Sequence, residues 1–202
     1  MKELFKKLRL KFATSKKGLS HIKELEKIWD GIEYSDDEYS KDEENLAFPT
    51  PTFLKSGEYA CFSDGSCKGN PGPGGTGVLI QDFKGDVIWK SAKYFDDTTN
   101  NRMELTAAIL GMEFLLKFSG SIIYLISDSK YLLDGLTWMQ NWKTRGWLKK
   151  DNTKPLNLDL WQRIDVLTSS FKEVKPIWVE GHVGHPQNEY CDHLATMVIN
   201  KK

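Results

Sequence analysis

The run Ser121-Ile-Ile-Tyr-Leu-Ile-Ser127 constrains the fold more than any other segment of this 202-residue chain. It is continuously apolar, the pattern of a strand covered on both faces. The segments around it supply the covers. EYACFS (58–63) reads as a strand, and GTGVLIQDF (75–83) with DVIWKSAKYF (86–95) reads as a hairpin turning at Lys84-Gly85. NRMELTAAILGMEFLLKF (101–118) reads as a long, mostly buried helix. Helical stretches follow near 129–147 and 158–171, then a strand in KPIWVE (175–180) and a helix in NEYCDHLATMVIN (188–200). Three strands followed by α–β–α–β–α predict an α/β fold, a mixed sheet with helices packed on it.

Charge divides the chain more sharply than its total, which is zero. Residues 1–19 carry seven basic side chains against Glu3, and residues 20–46 carry ten acidic ones against Lys23, Lys27 and Lys41. A uniformly basic nucleic-acid coat is therefore excluded, whereas a local patch is not. Leu4, Leu8 and Phe12 suggest a short basic amphipathic helix, and Ile22, Leu25, Ile28 and Trp29 a second. Pro49-Thr50-Pro51 signals a boundary. The expected division is an extension over 1–57, partly helical or loosely ordered, and a catalytic domain over 58–202. The extension reads as a tail or as an arm for nucleic acid or a protein partner. No run of 18 apolar residues is present, so no membrane span is expected. Cys61, Cys67 and Cys191 are too few and scattered for a disulfide framework or a zinc site. A reduced, cytoplasmic protein is expected.

Four acids stand out by position. Asp64 is placed at the end of the first strand, and Asp128 at the end of the apolar run, where open α/β sheets collect ligands. Glu104 shares a helix face with Ala107, Ala108, Gly111 and Leu115, a small apolar face that should lie against the sheet. Asp192 repeats this with Ala195, Thr196 and Ile199. Each alone is equally well a cap or a hydrogen-bonded buried acid. Together at one sheet edge they would repel, and hard divalent cations remove that problem. Oxygen ligands select Mg²⁺ or Mn²⁺. Two such ions can clamp the attacking and leaving oxygens of a phosphoryl transfer.

DGSCKGNPGPGG (64–75), TTNNRMEL (98–105), SDSKY (127–131) and GHVGHPQNEYCDHLA (181–195) closely resemble type 1 ribonuclease H, collinearly from about Glu58 to Asn200. The resemblance implies a five-stranded mixed sheet flanked by helices. It implies Mg²⁺-dependent endonucleolytic cleavage of the RNA strand of RNA–DNA hybrids, with 5′-phosphate and 3′-hydroxyl products. It makes Asp64, Glu104, Asp128 and Asp192 the catalytic metal ligands of two Mg²⁺ ions, with Mn²⁺ able to substitute. It gives His182, in a Gly-rich loop, a part in proton transfer or product release. A monomer is expected.

A hybrid-specific nuclease must detect 2′-hydroxyls on one strand and deoxyriboses on the other. Asn70, Asn100, Asn101 and the backbone near Cys67 match the family positions for that task, and Thr99 a DNA-phosphate contact. Thr99 and Asn100 also suit the N-cap of the Glu104 helix. Asn188 is placed to orient Asp192 or substrate. In 137–155, Trp138, Trp142 and Trp147 interleave with Lys143, Arg145, Lys149, Lys150 and Lys154. This composition suits a nucleic-acid grip and equally a tryptophan mini-core with a solvated basic face. The segment resembles the basic protrusion of bacterial relatives. Lys130 and Asp134 depart from the glutamines frequent there, so Lys130 is expected to contact phosphate. Competing readings are a non-catalytic hybrid binder and a DNA-processing enzyme on the same fold.

Overall fold

The computed structural model describes residues 47–201. The helices expected before residue 47 lie outside the described residues. Five strands form one sheet: β1 (Glu58–Cys67), β2 (Gly72–Asp82), β3 (Val87–Thr98), β4 (Ile122–Ser127) and β5 (Glu173–Trp178). Their order is β3-β2-β1-β4-β5. β1 is antiparallel to β2, which is antiparallel to β3, and the pairs β1–β4 and β4–β5 are parallel. The mixed α/β sheet expected from the element order is the one observed.

Four helices accompany it: α1 (Asn100–Leu115), α2 (Lys130–Thr144), α3 (Leu158–Thr168) and α4 (Pro186–Asn200). Three of the starts have a clear local cause. Thr99 caps α1 by accepting from the Arg102 N–H, and Ser129 caps α2 by accepting from Leu132 N–H. Pro186 opens α4 at a position where its missing N–H costs nothing. α1 and α4 cover opposite faces of the sheet. A side chain on Gly74 would meet Met103 of α1, and one on its neighbour Gly75 would meet the backbone of α4. β1 and β2 lie between these two helices, and β4, beside β1, is buried at Ile123, Leu125 and Ile126.

β1 does not stop at Asp64. Its parallel pairing with β4 ends at Phe62–Ile126, but its antiparallel pairing with β2 continues to Cys67–Gly74. Asp64 therefore lies inside β1, beyond the last rung shared with β4. The competing ladder of β2 keeps the chain extended where the Gly65-Ser66 dipeptide predicts a break.

Residues Ala47–Lys202 form one compact unit. Its first residues are not a loose tail. Pro51 and Leu54 are buried, the Phe48 ring lies 5.1 Å from Tyr190, and Phe53 lies 5.0 Å from Tyr124.

Candidate active site at the edge of β1 and β4

Two glycine contacts bring the acids together. A Cβ on Gly65 would collide with the backbone of Met103 and Glu104, so only glycine lets the first turn of α1 rest on β1. On the other face, a Cβ on Gly77, the β2 partner of Asp64, would collide with the Cys191 carbonyl. That contact draws α4 and Asp192 toward the same strand. As expected, Ala107 and Ala108 are fully buried, and Gly111 lies against Cys61.

Ligand oxygens of Asp64, Glu104 and Asp128 all lie within 4.8 Å of one another. Asp192 is not one of that tight group, but its charge lies near enough to act on Asp64. Its setting differs from expectation. The buried stripe of α4 is Cys191, Leu194, Ala195 and Val198, turned by one residue, so Asp192 stands at the rim with its side chain 32% exposed. Carboxylates this close rarely all stay charged without a proton or a cation among them. Burial first, then the charges of Asp128 and Asp192, push the Asp64 carboxyl up to about 8, while the Gly65 N–H works against the shift. Burial and the neighbouring Asp64 and Asp128 charges hold Glu104 well above the usual carboxylate range. Glu104 Oε2 is also buried with no hydrogen-bond partner. An unpartnered buried carboxylate oxygen facing two more acids fits a hard divalent cation.

His182 adopts a left-handed backbone conformation (φ 58°), and its exposed Nδ1 lies 3.6 Å from Asp192 Oδ2. The residues expected to meet substrate lie together at one end of the sheet. The Asn100 N–H donates to Asn70 Oδ1 at 3.1 Å, Asn101 is exposed, and Thr99 is the cap. The Cys67 thiol contacts the Gly72 and Thr98 carbonyls at 3.5 and 3.4 Å. Asn188 is buried, with Oδ1 unpartnered.

In the 137–155 limb both anticipated patterns occur together. Trp142 packs edge-on against the fully buried Trp161 at 5.8 Å, and Trp138 lies 6.3 Å from Trp142 with 42% of its surface exposed. Arg145 and Lys150 are exposed, but Lys143 pairs with Asp165 at 2.7 Å and Lys149 with Asp151 at 3.4 Å. Lys130 opens α2, its ammonium 5.1 Å from the Trp178 ring. Trp178 itself was not anticipated. Its indole N–H donates to the Asp128 carbonyl at 3.1 Å. The signal was available, since β5 ends on Trp178 level with Ser127, immediately before Asp128.

This geometry can be set beside known proteins. The RNase H family model matches residues 56–200. The chain belongs to the RNase H family. The ribonuclease H of Photorhabdus luminescens is 48% identical over 140 residues, covering 69% of this chain and 86% of the relative. A solved type 1 RNase H carrying the type 2 active-site motif is 34% identical, with a TM-score of 0.64 over 73% of this chain and 74% of that one. An RNase H solved in complex with an RNA/DNA hybrid shares the fold, at 24% identity, with a TM-score of 0.55 over 71% of this chain and 97% of that one. RNase H enzymes depend on divalent metal, and the Asp64, Glu104 and Asp128 cluster is of a kind that can hold it. No described helix is long and apolar enough to cross a membrane.

Proposed function

We propose that this RNase H hydrolyses the RNA strand of RNA–DNA hybrids at the carboxylate cluster, leaving 5′-phosphate and 3′-hydroxyl ends. The observation that carries the reading is the buried, unpartnered Glu104 oxygen within a cluster whose ligand atoms span no more than 4.8 Å. Asp64, Glu104, Asp128 and Asp192 would hold two Mg²⁺ ions, or Mn²⁺ in their place. When bound, such ions polarise the scissile phosphate, lower the pKa of the attacking water and neutralise the leaving 3′-oxygen.

The protein's own groups prepare the rest. Asp64, on β1, presents its carboxylate beside those of Glu104 and Asp128, with the Asp192 charge also acting on it. Glu104 is held rigidly because α1 rests on Gly65. His182 stands in solvent beside Asp192, placed to take or give a proton at the cluster mouth. Asn70, Asn100, Asn101 and the backbone at Cys67 present short amides and carbonyls to a shallow minor groove, with Thr99 toward a DNA phosphate. Asn188 orients the Asp192 side of the cluster. Lys130, Arg145 and Lys150 supply phosphate contacts, and Trp138 and Trp142 an aromatic platform. Lys143 and Lys149 join by exchanging Asp165 and Asp151 for phosphate.

A labelled RNA–DNA hybrid and the matching DNA duplex, each with Mg²⁺ or Mn²⁺, test the reading. Cleavage confined to the RNA strand of the hybrid, and abolished by chelation, is expected. Cleavage of the DNA duplex would move the chain to the DNA-processing class, and binding without cleavage to the hybrid-binding class.

A further inference from the structure

We infer that the segment Phe48–Leu54 and the buried Gln187 amide together set how far α4 slides along β2, which makes Gln187 a positioning residue for Asp192. The inference rests on the reading of Asp192 as a metal ligand. α4 meets β2 at three levels: Gln187 at Gln81, Cys191 at Gly77 and Ala195 at Gly75. The two glycine levels fix the distance between helix and strand. The first level is built from the directional bonds of two side-chain amides.

Gln187 Nε2 uses both of its protons, donating to Gln81 Oε1 at 2.9 Å and to the Pro49 carbonyl at 2.8 Å. Gln81 Nε2 donates in turn to the Gly85 carbonyl at 2.8 Å. Gln81 is fully buried and Gln187 is 4% exposed, so each broken bond would leave a polar group without water. Three bonds thus join the first turn of α4, the end of β2, the β2–β3 turn and the leading segment. That segment is fastened on either side of Pro49. Phe48 packs on Tyr190, one turn beyond Gln187, Thr50 lies against Gly85, and Pro51 and Leu54 are buried.

An α-helix advances about 1.5 Å per residue, so even a partial slip moves Asp192 by a large fraction of a metal–oxygen bond length. Groups that orient a metal ligand from behind are typically worth roughly 10- to 100-fold in metal affinity or activity. The RNase H family match begins at residue 56, so this strap lies ahead of the matched region. The catalytic unit accordingly starts before Phe48, and the boundary expected at residue 57 cuts through it.

The test uses the full chain. Gln187→Met removes both donated bonds at nearly constant length, and Gln81→Met/Gln187→Met removes both amides so that neither is left facing a lost partner. Phe48→Ala/Leu54→Ala loosens the strap without altering α4. Mg²⁺ binding is measured by calorimetry without substrate, beside kcat and KM for hybrid. Mg²⁺ affinity and kcat are expected to fall about tenfold in the glutamine variants and less in the strap variant, with KM held within about twofold. Mg²⁺ affinity and kcat within about twofold of the parent in the double glutamine variant would overturn the inference. If that variant does not fold, the same result in Phe48→Ala/Leu54→Ala decides against it. Asp192→Asn is run alongside. Impairment there, with normal glutamine variants, defeats the positioning role alone. Undiminished Mg²⁺ binding and cleavage by Asp192→Asn defeats the ligand reading and the inference with it.

Discussion

The carboxylate cluster and the tryptophan-rich limb at 137–155, both assigned to the same substrate in the proposal above, are built on opposite rules. At the cluster, helix backbone lies on strand backbone at Gly65 and Gly77, and the acids are placed by contacts that leave no room for adjustment. In the limb, Trp142 and Tyr131 lean on Trp161 and Trp138 leans on both of them, while the cations stand outside or in exchangeable pairs. Reaction chemistry needs atoms held within fractions of an ångström, whereas attraction to a polyanion needs only charge within a Debye length. The first region should therefore fail abruptly when altered, and the second gradually.

The largest effect should come from the cluster. Asp64→Asn is expected to lower kcat by at least roughly 10³-fold while hybrid affinity changes only a few-fold. An active Asp64→Asn protein would erase the distinction between the regions, and single-turnover kinetics with a binding assay decides the matter.

Next in size is a dependence on pH without metal. The Asp64 carboxyl titrates near 8 in the folded protein against 3.8 in an exposed chain. Because the folded value is raised, this contribution to stability is complete below about pH 4 and is lost as pH rises through about 8. Metal-free protein should lose roughly 6 kcal/mol between these limits, roughly 12–24 °C in Tm. Mg²⁺ should restore the loss, and Asp64→Asn should flatten the profile. A metal-free Tm that climbs from pH 5 to 8 would contradict the buried like-charge cluster.

The smallest effect belongs to the limb. Arg145→Ala/Lys150→Ala should weaken hybrid binding several-fold at moderate salt and lower the log–log salt slope by about 2, with kcat unchanged. A fall in kcat equal to that at the cluster would show the limb to be part of the chemistry.

Much of this was legible before the structure, for reasons that differ from place to place. The apolar run at 121–127 and the small face behind Glu104 carry their own periodicity, so β4 and the packing of α1 follow from local pattern. Asp64 was misplaced at a strand end because the partner that holds β1 extended, β2, exerts no local signal. The face of α4 was misread by one residue, since Thr196 and Ile199 are as plausible in a core as Cys191 and Leu194, and only the glycines of β2 select between them. Pro49-Thr50-Pro51 marks an interruption of regular structure correctly, but it does not tell whether the chain then leaves the surface or clings to it. Isolated anchors such as Phe48 and Leu54 have no period to reveal them.

The glycine seam between β2 and α4 has a thermal corollary. Where main chain rests on main chain there are no rotamers to loosen on warming, and the carbonyls of Cys191 and Ala195 lie directly against the strand. Gentle heating is expected to free the tryptophans of the limb long before this seam opens, so that amide exchange along α4 reports the melting of the whole unit and not a local event.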